Sequence, residues 1–345
     1  MNFLNSNNFA KFSDFVFSEI ISTEDFPNNK NLIKLKEIAS PETKAIWYFN
    51  PNINLKENDI IFCHTDMVLT LFSLLKNVES LKNLKLITHQ SDTSINRQLW
   101  RKKPSCISEW YSTNVNYSSD KLISIPLGIG NQYMEIYKNQ TEIIKKFSAS
   151  EVVKKDTAYS AFRINTNTRE RLKAFFALNE KEWSESPVKK EIPLTYLQNL
   201  NSSKFTICPW GNGIDTHRIW ESLYLGSIPV TRYHKVYEQF KNYPIIFIKN
   251  WKKISLTELI NHSKDLDFKK SLEFLDTNYW EDIINKNKLK INNEVSFSLE
   301  KREIEKIKNN QINIEKKKKI QKNIRTFFLK FHYLKIKFYL LTKNN

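Results

Sequence analysis

The chain has 345 residues, of which 40% are hydrophobic and 13% aromatic. This composition excludes an intrinsically disordered protein, and the length is sufficient for two domains that each bury a core. The formal net charge is +17, but residues 301–345 carry +11 of it, so the first 300 residues are only mildly basic. Because a nucleic-acid enzyme would spread basic charge over a face of its fold, we expect no nucleic-acid partner.

The cysteine content and the N-terminal segment indicate the compartment. Cys63, Cys106 and Cys208 form an odd set without framework spacing, which predicts buried thiols in a reducing environment. The N-terminal residues lack the basic start and apolar stretch of a signal peptide, and we find no uncharged run of about 18 residues that predicts a transmembrane helix. We therefore expect a cytoplasmic protein, either free or peripheral at the inner face of the membrane.

The first half of the chain alternates apolar runs with helical patterns. Strands are predicted at 59–63, 84–88 and 122–126, and a helix is predicted over 67–76. Alternation of this kind is typical of a parallel sheet. We predict an N-terminal Rossmann-like domain over residues 1–140.

The same alternation restarts after a charged stretch and predicts a second Rossmann-like domain over residues 141–290. Its predicted strands are 158–162, 205–208, 228–231 and 244–249, and its predicted helices begin at Thr168 or lie near 194–200, 217–225, 256–262 and 270–287. The expected fold class is therefore α/β.

The chain has five glycines, and they lie in two places. Gly128 and Gly130 precede the expected domain boundary, while Gly211, Gly213 and Gly226 follow the predicted strand at 205–208. Glycine is needed where φ is positive or where a side chain cannot be accommodated. Gly211 and Gly213 read as a glycine loop that leads into a helix N-terminus, whose unpaired N–H groups attract phosphate, and Gly226 is placed to close that helix.

Arg218 and Glu221 lie three residues apart on this predicted helix and therefore share a face. An arginine can clamp a diphosphate in a fork, and a glutamate can accept hydrogen bonds from the hydroxyls of a ribose or a sugar. Together they suit a nucleotide-sugar. The alternative is that the glycines make turns and that the two charges form a surface pair.

The segment 203–230 resembles the exostosin-like glycosyltransferases, in particular their bacterial or viral-type branch. The matching residues are Pro209, Gly211, Gly213, Asp215, Thr216, Arg218, Glu221, Leu223, Gly226, Ile228, Pro229 and Val230. Upstream segments 87–92, 110–116, 125–131 and 162–171 are also similar, so the resemblance covers about 58–260. The eukaryotic members have an N-terminal anchor that this sequence does not show.

The resemblance implies a GT-B-like fold, in which two Rossmann-like domains have parallel sheets that face a cleft. It implies a donor site formed mainly by the second domain, an acceptor site in the first domain and no obligatory metal. The predicted donor-binding residues are Gly211, Gly213, Asp215, Thr216, Arg218 and Glu221, with Thr166, Asn167 and Arg171 as further phosphate contacts.

Inverting glycosyl transfer requires a base that takes the proton of the acceptor hydroxyl. Because ligands of open α/β sheets bind at the carboxyl ends of strands, the residues that follow the predicted strands are candidates. Asp92 is the first choice and Asp66 the second. His64 and His89 lie at the same edge, where each is equally well explained as a hydrogen-bonded loop residue.

Residues 291–345 are predicted to form a charged helix and a basic, aromatic tail. We expect a solvated helix over 299–325 and an interfacial helix over 326–342, where Phe327, Phe331, Leu334, Phe338 and Leu341 have helical spacing. With the lysines at 316–319, residues 316–342 fit an anionic membrane surface. The alternative is a last helix that packs on the globular core.

These features predict a glycosyltransferase of polysaccharide biosynthesis that moves a sugar from a nucleotide-sugar, most simply a UDP-sugar, to a glycan or a lipid-linked saccharide. The reaction is expected to be inverting and independent of metals and other cofactors. Two alternatives remain open: a fucosyltransferase-like enzyme that uses a GDP-sugar, and a basic membrane- or nucleic-acid-binding protein with a non-catalytic GT-B core.

Overall fold

The structure is a computed structural model that describes residues 2–27, 31–78, 80–150, 152–187, 191–266, 268, 272–290 and 293–343. The strands are β1 Phe15–Ser22, β2 Ile33–Ser40, β3 Thr43–Phe49, β4 Asn52–Lys56, β5 Ile60–His64, β6 Leu84–His89, β7 Ile107–Ser112, β8 Leu122–Ser124, β9 Lys155–Tyr159, β10 Ser184–Glu185, β11 Ser203–Ile207, β12 Ile228–Arg232, β13 Ile246–Ile248 and β14 Glu294–Ser298. The α-helices are α1 Ser6–Lys11, α2 Val68–Leu75, α3 Arg97–Trp100, α4 Gln140–Ser148, α5 Thr168–Leu178, α6 Pro193–Ser202, α7 His217–Tyr224, α8 Leu256–Lys264, α9 Thr277–Ile284 and α10 Lys301–Lys343.

The first sheet has seven strands in the order β2-β3-β1-β5-β6-β7-β8. The strands β1, β5, β6, β7 and β8 are parallel, as the alternating pattern predicts. Four strands of this sheet, β1, β2, β3 and β7, were not predicted from the sequence. β3 runs antiparallel to both β1 and β2. Its last five residues are all buried, so the alternation that identifies a half-exposed strand is absent.

The second sheet has five parallel strands in the order β10-β9-β11-β12-β13. The chain leaves β9 toward one edge of this sheet and continues from β11 toward the other edge. The gap between β9 and β11 is therefore the topological switch point, where ligands of open α/β sheets bind. The glycine loop follows β11 directly, so it lies at this point.

The two domains share one apolar cluster and meet at the carboxyl ends of their strands. Ile60 and Phe62 of β5 lie in the same buried cluster as Trp220 and Tyr237 of the second domain. In the loops that follow β6 and β11, Asp92 Oδ1 accepts a hydrogen bond from the Gly213 N–H at 3.0 Å. Two Rossmann-like domains with parallel sheets facing one cleft form the GT-B-like arrangement that the sequence predicts.

The C-terminal region returns to the first domain. β14 pairs antiparallel with β4, and Leu299 and Ile307 are buried in a cluster of the first domain. The helix predicted over 299–325 forms part of α10, and most of its described residues are exposed, whereas Leu299 before the helix and Ile307 and Gln311 within it are buried. Within the described residues, no helix is long and apolar enough to cross a membrane. The side chains of residues 328–345, on which much of the interfacial prediction rests, lie outside the described residues.

Gly128 shows why this chain retains glycine at the domain junction. Its φ is +71°, and an added Cβ would lie 2.1 Å from the Leu4 carbonyl oxygen. Gly226, which ends α7, has a similar φ of +66°, but the nearest atom to its added Cβ is the flexible Lys154 side chain at 3.3 Å. Backbone strain is therefore common to both positions, whereas the clash with a backbone atom is particular to Gly128.

We expect Gly226→Ala to cost about 1–2 kcal/mol of unfolding free energy through backbone strain. Gly128→Ala should cost more, because the Leu4 carbonyl must also move. Denaturant unfolding of both variants measures the difference. Equal losses would show that the junction adapts to the extra carbon.

Glu19 on β1 is a buried carboxyl whose oxygens accept hydrogen bonds from Asn7 Nδ2 at 2.5 Å and from the Tyr48 hydroxyl at 3.2 Å. Burial raises the pKa of Glu19 to about 7, although the hydrogen bonds from Asn7 and Tyr48 and the charge of Lys11 oppose the shift. The folded protein therefore binds a proton more tightly than the unfolded chain does. The stability contributed by this carboxyl falls as pH rises from about 4.5 to about 7.

We expect Glu19→Gln to be more stable than the wild type at pH 8 by up to about 3 kcal/mol, and by much less at pH 5. Glutamine keeps the acceptor for Asn7 and donates to the Tyr48 hydroxyl oxygen. Denaturant unfolding at the two pH values measures this, with the exposed Glu24→Gln as the matched control. An unchanged pH dependence in Glu19→Gln would contradict the assignment.

Candidate active site

The site is built around the first turn of α7 and the loop 208–216 that precedes it. β11 ends at Ile207, and Pro209 prevents its continuation. Thr216 has the extended backbone of an N-cap, and α7 begins at His217. Arg218 and Glu221 therefore lie on the first turns of a helix, as the sequence predicts, and the sheet order places this helix at the switch point.

Two of the three predicted phosphate contacts at the start of the second domain, Asn167 and Arg171, brace this loop. Asn167 donates from Nδ2 to the Gly211 carbonyl at 2.9 Å, and Arg171 donates from Nε to the Trp210 carbonyl at 3.0 Å. Thr166 donates to the Arg163 carbonyl at 3.2 Å. A Cβ on Gly211 would lie 3.1 Å from the Arg171 guanidinium, so this glycine allows the brace to approach.

Arg171 and Arg218 bring two cationic groups close to one another. Burial, and then the charge of Arg218, lower the pKa of Arg171 to about 9. Bound negative charge would relieve this repulsion, and a diphosphate supplies such charge.

The loop amides at the helix N-terminus are already hydrogen-bonded to the first domain. Gly213 N–H donates to Asp92 Oδ1 at 3.0 Å, and the N–H groups of Ile214 and Asp215 both donate to Asn114 Oδ1, at 2.9 and 3.0 Å. Each amide donor can make one such bond, so these three amides are engaged across the cleft. A phosphate must displace these acceptors or bind beside them.

Asn114 is a site residue that the sequence analysis did not select. It follows β7, is buried and has a left-handed backbone with φ of 54°. An asparagine at the carboxyl end of a strand is the signal that was available, but β7 itself was not predicted. The segment 110–116, which contains Asn114, is similar to the family in sequence, but its residues carry no other signal of a site.

Asp215 and Thr216 were both predicted to bind the donor, but their side chains have different surroundings. Asp215 is buried, and its carboxylate accepts from Trp220 Nε1 at 2.9 Å and from the Leu127 N–H at 2.9 Å. Burial raises the pKa of Asp215 to about 7 despite these hydrogen bonds. This side chain therefore ties α7 to the domain junction. Thr216 is also buried, but its Oγ1 has no hydrogen-bond partner among the described residues.

Arg218 and Glu221 share a face of α7. The Nε of Arg218 is buried and, like Thr216 Oγ1, has no partner within the described part of the chain. Glu221 is buried and accepts from Gln140 Nε2 at 2.6 Å and from the Tyr196 hydroxyl at 2.7 Å. Each carboxylate oxygen retains a further acceptor site for a ligand hydroxyl.

The two candidate bases have unlike surroundings. Asp66 accepts from the hydroxyls of Ser91 and Thr93 and pairs with Lys318 of α10. Burial acts to raise the pKa of Asp66, but His64, Lys318 and Ser91 lower it overall. Asp92 retains an exposed edge, and reduced hydration raises its pKa despite the hydrogen bond from Gly213. Asp92 is therefore the more basic of the two carboxylates.

The histidines at the same edge act as local hydrogen-bond acceptors. His64 Nδ1 accepts from the Asp66 N–H, and His89 Nδ1 accepts from the Gln90 N–H. Burial lowers the pKa of His64 to about 4 and that of His89 to about 3, so both rings are neutral at pH 7.

Among the residues that the structure describes, no group of three or more His, Cys, Asp or Glu side chains is arranged to hold a metal ion.

Comparison with known proteins gives one family match, and it lies in the second domain. Residues 152–274 match the family model described as RXYLT1 C-terminal domain, which belongs to the exostosin-like xylosyltransferases. This range contains the glycine loop, α7 and the braces at Asn167 and Arg171. A comparison with curated proteins gives no match.

Solved structures show weaker likeness. A UDP-forming α,α-trehalose-phosphate synthase from Burkholderia xenovorans has 11% identity and a TM-score of 0.36, covering 66% of this chain and 74% of its own. The E. coli trehalose-6-phosphate structure bound with UDP-2-fluoro glucose has 11% identity and a TM-score of 0.39, covering 69% and 75%. AviGT4, a glycosyltransferase involved in avilamycin A biosynthesis, has 14% identity and a TM-score of 0.30, covering 58% and 71%. Likeness at this level gives no further support for a function beyond the family match.

The predicted resemblance to the exostosin-like glycosyltransferases is confirmed by the family match. Residues 152–274 are similar to the RXYLT1 C-terminal domain, and the protein is a glycosyltransferase.

Proposed function

We propose that the protein transfers a sugar from a UDP-sugar to a hydroxyl of a glycan or a lipid-linked saccharide. The observation that carries the proposal is the pair of buried, unpartnered polar atoms, Thr216 Oγ1 and Arg218 Nε, within the described residues at the start of α7. They lie at the switch point of the second sheet, where the carboxyl edge of the first sheet also arrives. Buried polar atoms are normally satisfied, so a polar ligand is the natural partner for both.

In the proposed reaction the acceptor oxygen forms a bond to the anomeric carbon, and the bond from that carbon to the diphosphate breaks with inversion. The acceptor proton passes to Asp92, and the diphosphate leaves with the electron pair of the broken bond. Arg218, with Arg171 behind the loop, stabilises the negative charge that develops on the leaving group. Glu221 accepts hydrogen bonds from donor hydroxyls. These arginines supply the positive charge, so the proposed reaction is independent of metal.

Thermal-shift measurements with UDP-, GDP- and CMP-sugars test the donor. We expect UDP-sugars to raise the melting temperature and EDTA to leave both this shift and the release of UDP unchanged. Stabilisation by GDP-sugars alone would favour the fucosyltransferase-like alternative. No stabilisation by any nucleotide would contradict the transferase proposal and favour a non-catalytic core.

We further propose that residues 316–342 hold the enzyme at an anionic membrane surface, at the inner face of the membrane. Three apolar side chains of α10 are exposed at helical spacing: Ile320 by 59%, Ile324 by 51% and Phe327 by 63%. Lys316, Lys317 and Lys319 are exposed beside them. An exposed apolar stripe next to basic residues suits the boundary between lipid headgroups and acyl chains.

Vesicle co-sedimentation tests this. We expect the full chain to bind vesicles that contain phosphatidylserine, and expect removal of 320–345 to abolish binding. The triple variant Ile320→Ser, Ile324→Ser, Phe327→Ser should lose most binding while keeping the lysines, and pure phosphatidylcholine is the lipid control. Unchanged binding after the truncation would contradict the proposal.

A further inference from the structure

A cavity of about 650 Å³ opens at the first-domain side of the molecule, outside the glycine loop and α7. Its walls are α1, the carboxyl end of β1 and the start of α4 with the segment before it. β1 is parallel to β5, so this end of β1 lies at the same sheet edge as the loops that carry Asp66 and Asp92. A cavity of this volume lies within the range of small-molecule sites.

The lining of the cavity is polar and nearly neutral. Amide and hydroxyl side chains dominate, namely Asn5, Asn7, Asn8, Gln132, Thr141 and Ser22. Phe3 and Tyr133 add aromatic rings, and the two lysines, Lys11 and Lys145, are balanced by the two carboxyls, Glu19 and Asp25. Planar amides and carboxyls hydrogen-bond adjacent hydroxyls, while aromatic rings pack against the C–H face of a sugar ring.

Glu19 has acceptor capacity left in this cavity. Each carboxylate oxygen has one donor, from Asn7 and from Tyr48 respectively, and each has room for a second. Its surroundings are fixed by Tyr48 of β3 and by Asn7, which also donates to the Ile20 carbonyl. A ligand hydroxyl therefore meets a pre-positioned acceptor.

The start of α4 joins the cavity to the donor side of the site. Gln140 donates to Glu221 of α7 at 2.6 Å, and the next residue, Thr141, lines the cavity. From the first-domain side, Gln90 donates to Ser6 Oγ of α1 at 2.9 Å and to the Ile20 carbonyl at 2.8 Å, and it lies two residues before Asp92. The cavity and the proposed donor site thus lie on two sides of one helical turn.

We propose that this cavity binds an uncharged saccharide, which is the acceptor of the transfer reaction, with Glu19 accepting a hydrogen bond from one of its hydroxyls. The identification of this saccharide as the acceptor rests on the proposed function. The binding itself depends on the cavity alone. Acceptor specificity is accordingly assigned to residues of α1, β1 and α4.

Ligand-observed NMR on the full chain tests the proposal, with methyl glucoside, methyl galactoside, methyl xyloside, cellobiose and lactose as neutral probes and glucuronate as the charged probe. Thr141→Trp fills the cavity, and Glu142→Trp places the same side chain at the adjacent, exposed position as the matched control. Glu19→Gln removes the carboxylate while keeping its contacts. The thermal shift with UDP is measured on each variant in parallel.

We expect at least one neutral probe to bind the wild type and Glu142→Trp, and to bind Thr141→Trp and Glu19→Gln at least tenfold more weakly, with the UDP shift unchanged. Absence of saccharide binding to the wild type, stronger binding of glucuronate, or unchanged binding to Thr141→Trp would overturn the proposal. A missing UDP shift with saccharide binding retained would instead contradict the proposed function and leave the cavity assignment standing.

Discussion

Replacing Arg218 by alanine should lower the rate of sugar transfer by about 100-fold to 1000-fold while leaving the protein folded. The buried Nε of this guanidinium has no partner within the described residues, and neighbouring Arg171 adds positive charge to the same site. The variant therefore removes a charge that the leaving diphosphate needs. No side-chain hydrogen bond of Arg218 is found in the described structure, so we expect the variant to stay folded although the nearby Glu221 carboxylate loses its cationic neighbour.

Two variants sharpen this measurement. Arg218→Lys keeps the charge but loses the planar fork, so we expect intermediate transfer and weaker nucleotide binding. Arg169→Ala removes an exposed arginine of α5 and should transfer at the wild-type rate. If Arg218→Ala loses its cooperative melting transition, or transfers within a few-fold of the wild type, the arginine has a structural role instead.

Asp92→Asn should lower kcat by about 100-fold to 10,000-fold if Asp92 is the base. Asparagine retains an oxygen that accepts the Gly213 N–H, so the contact across the cleft persists, but it cannot take the acceptor proton. In the wild type the rate should rise with pH as Asp92 ionises. Because the pKa of Asp92 is raised, this limb should lie above the usual range of an aspartate.

Asn114→Ala separates catalysis from domain contact. It removes the acceptor for the Ile214 and Asp215 amides without removing a proton acceptor. The free energy of unfolding should therefore fall, while the pH dependence of kcat should stay as in the wild type. Asp66→Asn tests the second candidate base. If Asp92→Asn transfers within about threefold of the wild type while Asp66→Asn is inactive, the assignment of the two carboxylates must be exchanged.

Features that depend on local chain geometry were well predicted. The helix at 217–225 and its closure by Gly226 agree with α7, because capping and positive φ involve residues a few positions apart. Buried Cys63 and Cys208 agree with their apolar strands. The hairpin formed by β2 and β3 was missed because the last five residues of β3 are all buried, whereas no residue of β2 is fully buried.

The placement of polar groups within the site was not predictable in the same way. The acceptors for the Gly213 and Ile214 amides come from Asp92 and Asn114, which lie 121 and 100 residues earlier in the chain. The buried carboxylate of Asp215 likewise accepts from the N–H of Leu127, which lies 88 residues earlier at the domain junction. Hydrogen-bond partners and loss of hydration are properties of segments that meet in space, so no local pattern carries them.

The positions of the glycines and the ends of helix α7 thus follow from the amino-acid sequence, because each depends on steric rules for neighbouring residues. The resemblance carried by the segment 203–230 also follows from the sequence and agrees with the match over 152–274. The switch point between β9 and β11, the amides engaged across the cleft and the cavity beside Glu19 emerge when distant segments pack together. Long-range contacts determine which polar atoms are satisfied and which remain for a ligand, and for this reason the chemistry of the cleft is a property of the folded chain.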